Sequence, residues 1–282
     1  KAITRDDLVK YYESTYRPNN ATLIVVGDFD KAALTSKLEK AFADWKPADI
    51  RARALPGAKP LEKTAIYLVD RPNSAQSVVS IGHVGLDRSH KDYFPVMIMN
   101  SILGGGFTSR INMNLREDKG YTYGARSGFS FRRGAGPFSA CCDILKADTK
   151  ASFFDFMKVL IDIRGGRPVT HKALDDNKLS VIRRYPAGFE TVGAISNQLS
   201  NLVTYNLPDS YFNDYIARIN SVTLADVNRV AKQYLDPSKM AIVIVGDRAV
   251  VEPGLKQLGY PLYLLDTEGN PVTAPVVTPD TK

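Results

Sequence analysis

The stretch Val-Thr-Leu-Ala-Asp-Val at residues 222–227, followed by Val-Ile-Val-Gly-Asp at 243–247, occurs twice in this chain. The earlier copy reads Ile-Thr-Arg-Asp-Asp-Leu at 3–8 and Ile-Val-Val-Gly-Asp at 24–28. The two copies align without a gap at an offset of 219 residues (222 − 3). The chain therefore contains parts of two homologous units, and the repeat unit is about as long as a domain.

Each copy predicts a helix followed by a buried strand. Both begin with a Thr that an Asp follows three residues later, which is typical of a helix N-terminus with a capping box. Apolar residues then recur at helical spacing until Pro18 and Pro237 stop the helix. Apolar runs at 22–26 and 241–245 have the length and composition of buried strands.

The repeat also predicts the domain organisation. We expect residues 1–45 to be the C-terminal remnant of a first lobe, most of which lies outside this sequence. Three prolines and a glycine make 46–62 an interlobe linker. Residues 63–264 form the second lobe, and 265–282 form a loosely ordered tail without periodicity.

Strands come in pairs between groups of helices, a pattern that predicts the fold class. Strands are expected at 66–69, 76–82, 121–125, 129–131 and 138–144, and helices at 4–16, 31–43, 91–103, 108–118, 151–164, 171–184, 190–205 and 209–219. This order favours an α+β two-layer sandwich, with a largely antiparallel sheet and helices packed on one side.

Composition narrows the function classes. The formal net charge is +7, but the basic residues are scattered, so no nucleic-acid-binding surface is predicted. No apolar run approaches the ~20 residues of a membrane-spanning helix. The adjacent Cys141 and Cys142 are expected to be buried small apolar residues, so the cellular compartment stays open.

One segment carries candidate chemistry. Arg116 lies near a predicted helix end, and Gly120 can adopt the left-handed turn that ends the helix. Tyr121 and Tyr123 are then expected on one face of the next strand. A guanidinium and phenol hydroxyls suit a carboxylate, a carbonyl or a developing oxyanion. A surface arginine paired with a neighbouring acid, beside tyrosines packed in a sheet, is the alternative.

The same segment resembles a known family. Leu-Gly-Gly-Gly-Phe-Thr-Ser-Arg at 103–110 and Leu-Arg-Glu-Asp-Lys-Gly-Tyr-Thr-Tyr at 115–123 resemble the second-lobe signature of the pitrilysin/insulinase zinc peptidases. Mitochondrial processing peptidases belong to this group. Tyr-Arg-Pro-Asn-Asn at 16–20 and Asp-Arg-Pro-Asn-Ser-Ala-Gln-Ser at 70–77 fit as well. The resemblance covers roughly residues 1–260.

The resemblance implies a lobe of the processing-peptidase type and different roles for the two lobes. In that family the first lobe binds zinc through His-x-x-Glu-His and a distal Glu, and the second lobe gives an Arg and a Tyr. These catalytic roles fall on Arg116 and on Tyr121 or Tyr123. Substrate-binding roles fall on Gly104, Gly105, Gly106 and Phe107.

None of His83, His90 and His171 lies in such a zinc motif, so no metal site and no cofactor are expected in this chain. The expected function is the substrate-binding, zinc-free half of a zinc-dependent peptidase, inactive alone. Its partners would be a peptide substrate and a zinc-bearing homologous lobe, in the same polypeptide or a separate subunit. A non-catalytic peptide-binding or assembly subunit of the same fold is one alternative, and an unrelated basic binding module is another.

Overall fold

The computed structural model describes residues 2–50, 54 and 56–272. Part of the predicted linker, at 51–53 and 55, and the predicted tail beyond residue 272 lie outside these ranges. No helix within them is long and apolar enough to cross a membrane.

The described residues group into two compact units. The first combines residues of Lys1–Pro56 with Arg184–Tyr211, and the second combines Gly57–Arg183 with residues of Phe212–Lys282. The lobe boundaries at 45, 62 and 264 stay predictions.

The second unit is built around one mixed sheet. Its strands are β1 (Ala65–Asp70), β2 (Gln76–Val84), β3 (Ala125–Phe129), β4 (Pro137–Leu145), β5 (Ala241–Gly246) and β6 (Leu262–Leu265). Their order across the sheet is β3–β4–β2–β5–β1–β6. Strand β1 runs parallel to β5 and β6, and the other three pairings are antiparallel. The predicted α+β fold is confirmed, with a sheet that is antiparallel in three of these five pairings.

Ten helices lie before and between these strands in the described part of the chain. They are α1 (Arg5–Thr15), α2 (Lys31–Ala41), α3 (Tyr93–Leu103), α4 (Arg110–Asn112), α5 (Thr149–Asp162), α6 (His171–Arg184), α7 (Val192–Tyr205), α8 (Tyr211–Ser221), α9 (Leu224–Tyr234) and α10 (Arg248–Lys256). A π-helical turn, Met113–Asp118, continues α4 directly. The sequence pattern predicted neither α10 nor β6; within α10, Pro253 is typical of a helix break.

Helices of the second unit cover one face of the sheet. On β2 the side chains of Ser77, Val79 and Ile81 are buried, and the alternate ones are half-buried or exposed. Helix α3 contacts β3, helix α5 contacts β4, and helix α10 contacts β1. We call the opposite side the open face; its middle is formed by Val78, Ser80, Gly82, Arg126, Ser139, Cys141, Asp143, Ala241 and Val243.

The two copies of the repeat begin alike. Thr4 and Thr223 each accept a hydrogen bond from the backbone N–H of the Asp three residues later, and each Asp carboxylate accepts from the Thr backbone. The predicted capping boxes are therefore confirmed in both copies.

The copies then differ in their surroundings. In the second unit, α9 buries Val227 and Val230 against α3, and β5 pairs on both sides, with β1 and β2. In the first unit, the equivalent Leu8 and Tyr11 are 61% and 55% exposed. The predicted strand at 22–26 is wrong, since among the described residues nothing pairs with it and a strand needs a neighbour for its backbone hydrogen bonds.

A buried carboxylate joins α3 to α9. Asp92, 4% exposed, accepts two hydrogen bonds from Arg229, at 2.7 and 3.0 Å, and one from the Tyr234 hydroxyl at 2.6 Å. The hydrogen bonds from Arg229, helped by that from Tyr234, lower the pKa of Asp92 to about 2. Burial and the contact with Asp92 raise the pKa of Tyr234 to about 12.

We expect Asp92→Asn to lower the free energy of unfolding at pH 7 by about 2 kcal/mol, because Arg229 and Tyr234 lose a charged acceptor. The depressed pKa stabilises the fold above the ordinary value of 3.8, and this contribution is lost as pH falls through about 2. Urea unfolding should therefore show the gap between wild type and variant closing between these pH values. The exposed Asp175→Asn is the control, with an effect below about 0.5 kcal/mol; a gap independent of pH would contradict the assignment.

Candidate functional site

The segment between α3 and α4 is held against the edge strand β3. We call Gly104–Phe107 the glycine loop. The Ser127 N–H on β3 donates to the Gly104 carbonyl at 2.9 Å. The Ser127 hydroxyl donates to Asn100 Oδ1 at 2.8 Å, and the Asn100 amide donates to the Ser127 carbonyl at 3.1 Å. These bonds fix where the loop begins relative to the sheet.

A second buried amide fixes the other end of the loop. Asn112, 4% exposed, donates from Nδ2 to the Phe107 carbonyl at 2.7 Å. Its Oδ1 accepts from the Ala125 N–H at 3.1 Å. One side chain thus joins the glycine loop to the start of β3. Sequence reasoning missed Asn112, and its position in the short helix after the loop was the available signal.

A cavity of 620 Å³ lies between the glycine loop and the open face. All four residues predicted to bind substrate, Gly104, Gly105, Gly106 and Phe107, line it. Its wall on the sheet includes Arg126 of β3, which lies opposite Cys141 of β4, and Asp143. The cavity therefore offers backbone amides of a glycine loop together with one basic and one acidic side chain.

The two adjacent cysteines differ in burial. Both thiols are free, with Cys141 half-buried and Cys142 5% exposed. Burial raises the pKa of the Cys142 thiol, so this side chain behaves as the small apolar residue that the sequence predicted.

Arg116 borders the glycine loop. It lies in the π-helical turn, a feature that occurs often at functional sites. Its guanidinium carbon is 4.9 Å from the centre of the Phe107 ring, a cation–π contact. Its Nε is 3.2 Å from the Glu117 carboxylate, and both side chains are about 40% exposed. An exposed pair of this kind holds the guanidinium weakly.

The tyrosines lie differently from the prediction. Gly120 has φ of 69°, so the left-handed turn is confirmed. The strand predicted at 121–125 is wrong: Thr122 Oγ1 donates to the Gly124 carbonyl and accepts from its N–H, and β3 begins only at Ala125. The two phenols therefore do not share a strand face.

The structure brings together part of the predicted site. Tyr121 is half-buried and Tyr123 is 90% exposed. Neither tyrosine nor Arg116, all within the described ranges, lines the 620 Å³ cavity. Arg116 contacts Phe107, which lines the cavity. The two tyrosines come after the left-handed turn at Gly120.

The described His, Cys, Asp and Glu side chains do not form a zinc site. Across the part of the chain that the structure describes, no three His, Cys, Asp or Glu side chains form a group that could hold a metal. His83 Nδ1 lies 2.8 Å from the Val84 carbonyl, and His90 Nδ1 accepts from the Asp92 N–H. Both histidines serve local hydrogen bonding.

Comparison with known proteins gives consistent matches. Residues 2–180 match the family described as the peptidase M16 inactive domain. An uncharacterized zinc protease of Streptomyces coelicolor is 25% identical over 83% of this chain and 52% of that protein. A non-peptidase homolog of Helicobacter pylori is 22% identical over 87% of this chain and 56% of that protein.

The fold has solved relatives. The crystal structure of a peptidase M16 inactive domain from Pseudomonas fluorescens superimposes with a TM-score of 0.77 at 28% identity. That match covers 87% of this chain and 57% of the other. The chain thus spans about half the length of the proteins that it matches.

Two glycines of the glycine loop are expected to differ in how well they tolerate a Cβ atom. A Cβ at Gly104 would fall 2.3 Å from Ser127 Oγ and 2.4 Å from Ser127 N, whereas Gly106 has no atom within 4 Å of that position. We expect Gly104→Ala to lower the free energy of unfolding by about 2 kcal/mol, through overpacking against β3. Gly106→Ala should change it by less than about 0.5 kcal/mol. Urea unfolding followed by circular dichroism measures both, and equal effects would refute the close packing at Gly104.

Proposed function

Because the chain belongs to the M16 peptidase family through its inactive domain, we propose that it forms the zinc-free, substrate-binding half of a zinc-dependent peptidase. Family membership confirms the resemblance to the pitrilysin/insulinase peptidases. The chain by itself is expected to be inactive, since its described residues form no metal-binding group.

The cavity under the glycine loop carries this proposal. Glycines without a Cβ let a peptide backbone approach closely, and their amide groups can pair with it. Arg126 and Asp143 on the opposite wall supply side chains of both charges. Such a mixture suits an extended peptide, which presents carbonyls, N–H groups and side chains together.

Arg116 is proposed to bind the reacting part of the substrate. Its partner Glu117 is itself exposed, so a substrate carbonyl or a developing oxyanion can replace it at small cost. The contact with Phe107 would keep the guanidinium at the edge of the glycine loop. A phenol hydroxyl from Tyr121 or Tyr123 would add a second donor across the Gly120 turn. Zinc held by a homologous lobe would supply the activated water.

The first unit supports the existence of that lobe. Leu8, Tyr11 and Tyr12 form an exposed apolar set on α1. Their repeat equivalents on α9 are buried against α3. Residues 22–26 correspond to β5, which lies between two strands in its own sheet. We infer that residues 1–45 complete the sheet and helix layer of a zinc-bearing lobe.

A second candidate function is a non-catalytic peptide-binding or assembly subunit. The similarity to a Helicobacter pylori protein named a non-peptidase homolog favours it. The two candidates differ in the partner lobe, since an intact His-x-x-Glu-His motif there favours the peptidase and a degenerate motif favours the non-catalytic subunit.

We expect Arg116→Ala to lower turnover at least about tenfold when the chain is assembled with its zinc-bearing lobe, because one oxyanion donor is removed. Zinc content, measured by metal analysis, should not change. Arg183→Ala, on the exposed surface of α6, is the charge-matched control and should retain full turnover. Unchanged turnover in Arg116→Ala would remove this residue from the active site.

Two substitutions at equivalent positions of the repeat test whether α1 packs against a zinc-bearing lobe. Val227→Ala should lower the free energy of unfolding of this chain by about 2 kcal/mol, since the side chain is fully buried. Leu8→Ala, at the equivalent position, should change it by less than about 0.5 kcal/mol. Calorimetric titration with a separately produced zinc-bearing lobe should then show weaker assembly for Leu8→Ala. Equal destabilisation of the isolated chain would mean that α1 already has its apolar partner.

A further inference from the structure

A second cavity, of 470 Å³, lies on the open face. Its floor is the sheet, with Ser80 and Gly82 of β2, Ser139 of β4 and Val243 of β5. Its rim carries three basic side chains from distant parts of the chain, namely Lys59, Arg132 and Lys239. We call this cavity with its three cations the basic groove.

In the part of the chain that the structure describes, the cations of the basic groove form no ion pair at contact distance. All three are exposed, and within the described ranges none has a carboxylate oxygen within 4.0 Å. No Asp or Glu lines the groove. Asp236, three residues before Lys239, is the nearby carboxylate. The hydrogen bonds that it accepts from the Ser238 hydroxyl at 2.6 Å and N–H at 3.1 Å lower its pKa, and the charge of Lys239 adds to this effect. The groove therefore presents three cations, of which Lys239 is partly balanced by Asp236, over a partly apolar floor.

The basic groove continues the cavity under the glycine loop. Val78 and Cys141 line the first cavity, and Ser80 and Ser139 line the basic groove. These four residues share the open face, on the neighbouring strands β2 and β4. At about 3.3 Å per residue, the path from Val78 to Gly82 is about 13 Å, which about four residues of extended peptide can span.

We propose that the basic groove is a specificity site that binds an acidic side chain of the peptide substrate. The inference rests on the proposed function for the idea that a peptide lies under the glycine loop. A peptide held there and extended along the open face brings a Glu or Asp, about four residues away, among the three cations. Arg132 can pair with a carboxylate through two parallel hydrogen bonds, and the lysines add charge.

Binding to the whole chain tests this proposal. The probes are two fluorescently labelled decapeptides that differ only in a central Glu-Glu or Gln-Gln pair. In fluorescence anisotropy at about 50 mM salt, we expect the Glu peptide to bind at least about tenfold more tightly. The variant Lys59→Gln/Arg132→Gln/Lys239→Gln should bind both peptides equally.

A charge-matched control separates the groove from net charge. Lys91→Gln/Arg183→Gln/Lys232→Gln removes three exposed cations that line neither cavity, and it should keep the difference between the two peptides. Circular dichroism melts establish that both variants fold. Equal affinity of wild type for the two peptides, or an equal loss in the control, would overturn the proposal. Tighter, groove-dependent binding of a single-stranded oligonucleotide than of the Glu peptide would overturn it as well.

The peptide-binding experiment and the turnover experiment on Arg116→Ala test the two proposals separately. Peptide binding to the isolated chain needs no zinc-bearing lobe, so a discrimination between Glu and Gln would stand even if Arg116→Ala left turnover unchanged. Conversely, an Arg116-dependent enzyme that binds both peptides equally would retain the proposed function and lose the acidic specificity site.

Discussion

The outer edge of β3 is the constraint on which the candidate site depends. An edge strand has backbone groups without a neighbouring strand, and these groups need other partners. Here the Gly104 carbonyl and the amides of Asn100 and Asn112 take that place. The same bonds that satisfy the edge hold the glycine loop over the sheet. The cavity exists because the edge is closed by a loop instead of by another strand.

The repeat shows how strongly context controls the same local sequence. Both copies start with a capping box and form a helix of eleven residues. Among the described residues, the later copy has a helix and two strands to pack against and the earlier copy has no paired strand, so the apolar run becomes a central strand in the later copy. In the earlier copy Leu23 stays 59% exposed, whereas the equivalent Ile242 is fully buried. Burial and strand pairing are properties of the partner surface as much as of the segment.

Both cavities of the proposed site lie on the open face of the second unit. Helices bury the other face, so a ligand of the sheet in this unit meets Val78, Ser80 and their neighbours. The glycine loop closes one part of this face and the three basic residues surround another. The glycine loop encloses a cavity at its part of the face, and the basic groove adds positive charge at the other. An extended peptide is a ligand long enough to use both.

Short-range chemistry was readable from the sequence. The capping boxes at Thr4 and Thr223 and the left-handed turn at Gly120 depend on residues a few positions apart, and the sequence predicted them. The helix periodicity and the signature around Gly104 also identified the fold class and the family before any coordinates.

Tertiary structure decided what depends on distant residues. The chain at 121–124 lies outside the sheet, with Thr122 Oγ1 bonded to the Gly124 backbone. Strand β3 begins at Ala125, whose N–H donates to Asn112 of another element. Arg116, in the π-helical turn, lies against Phe107 and does not line the cavity, a contact that the sequence pattern did not predict. The convergence of Lys59, Arg132 and Lys239 has no sequence signal, because the sheet topology alone brings such distant positions together.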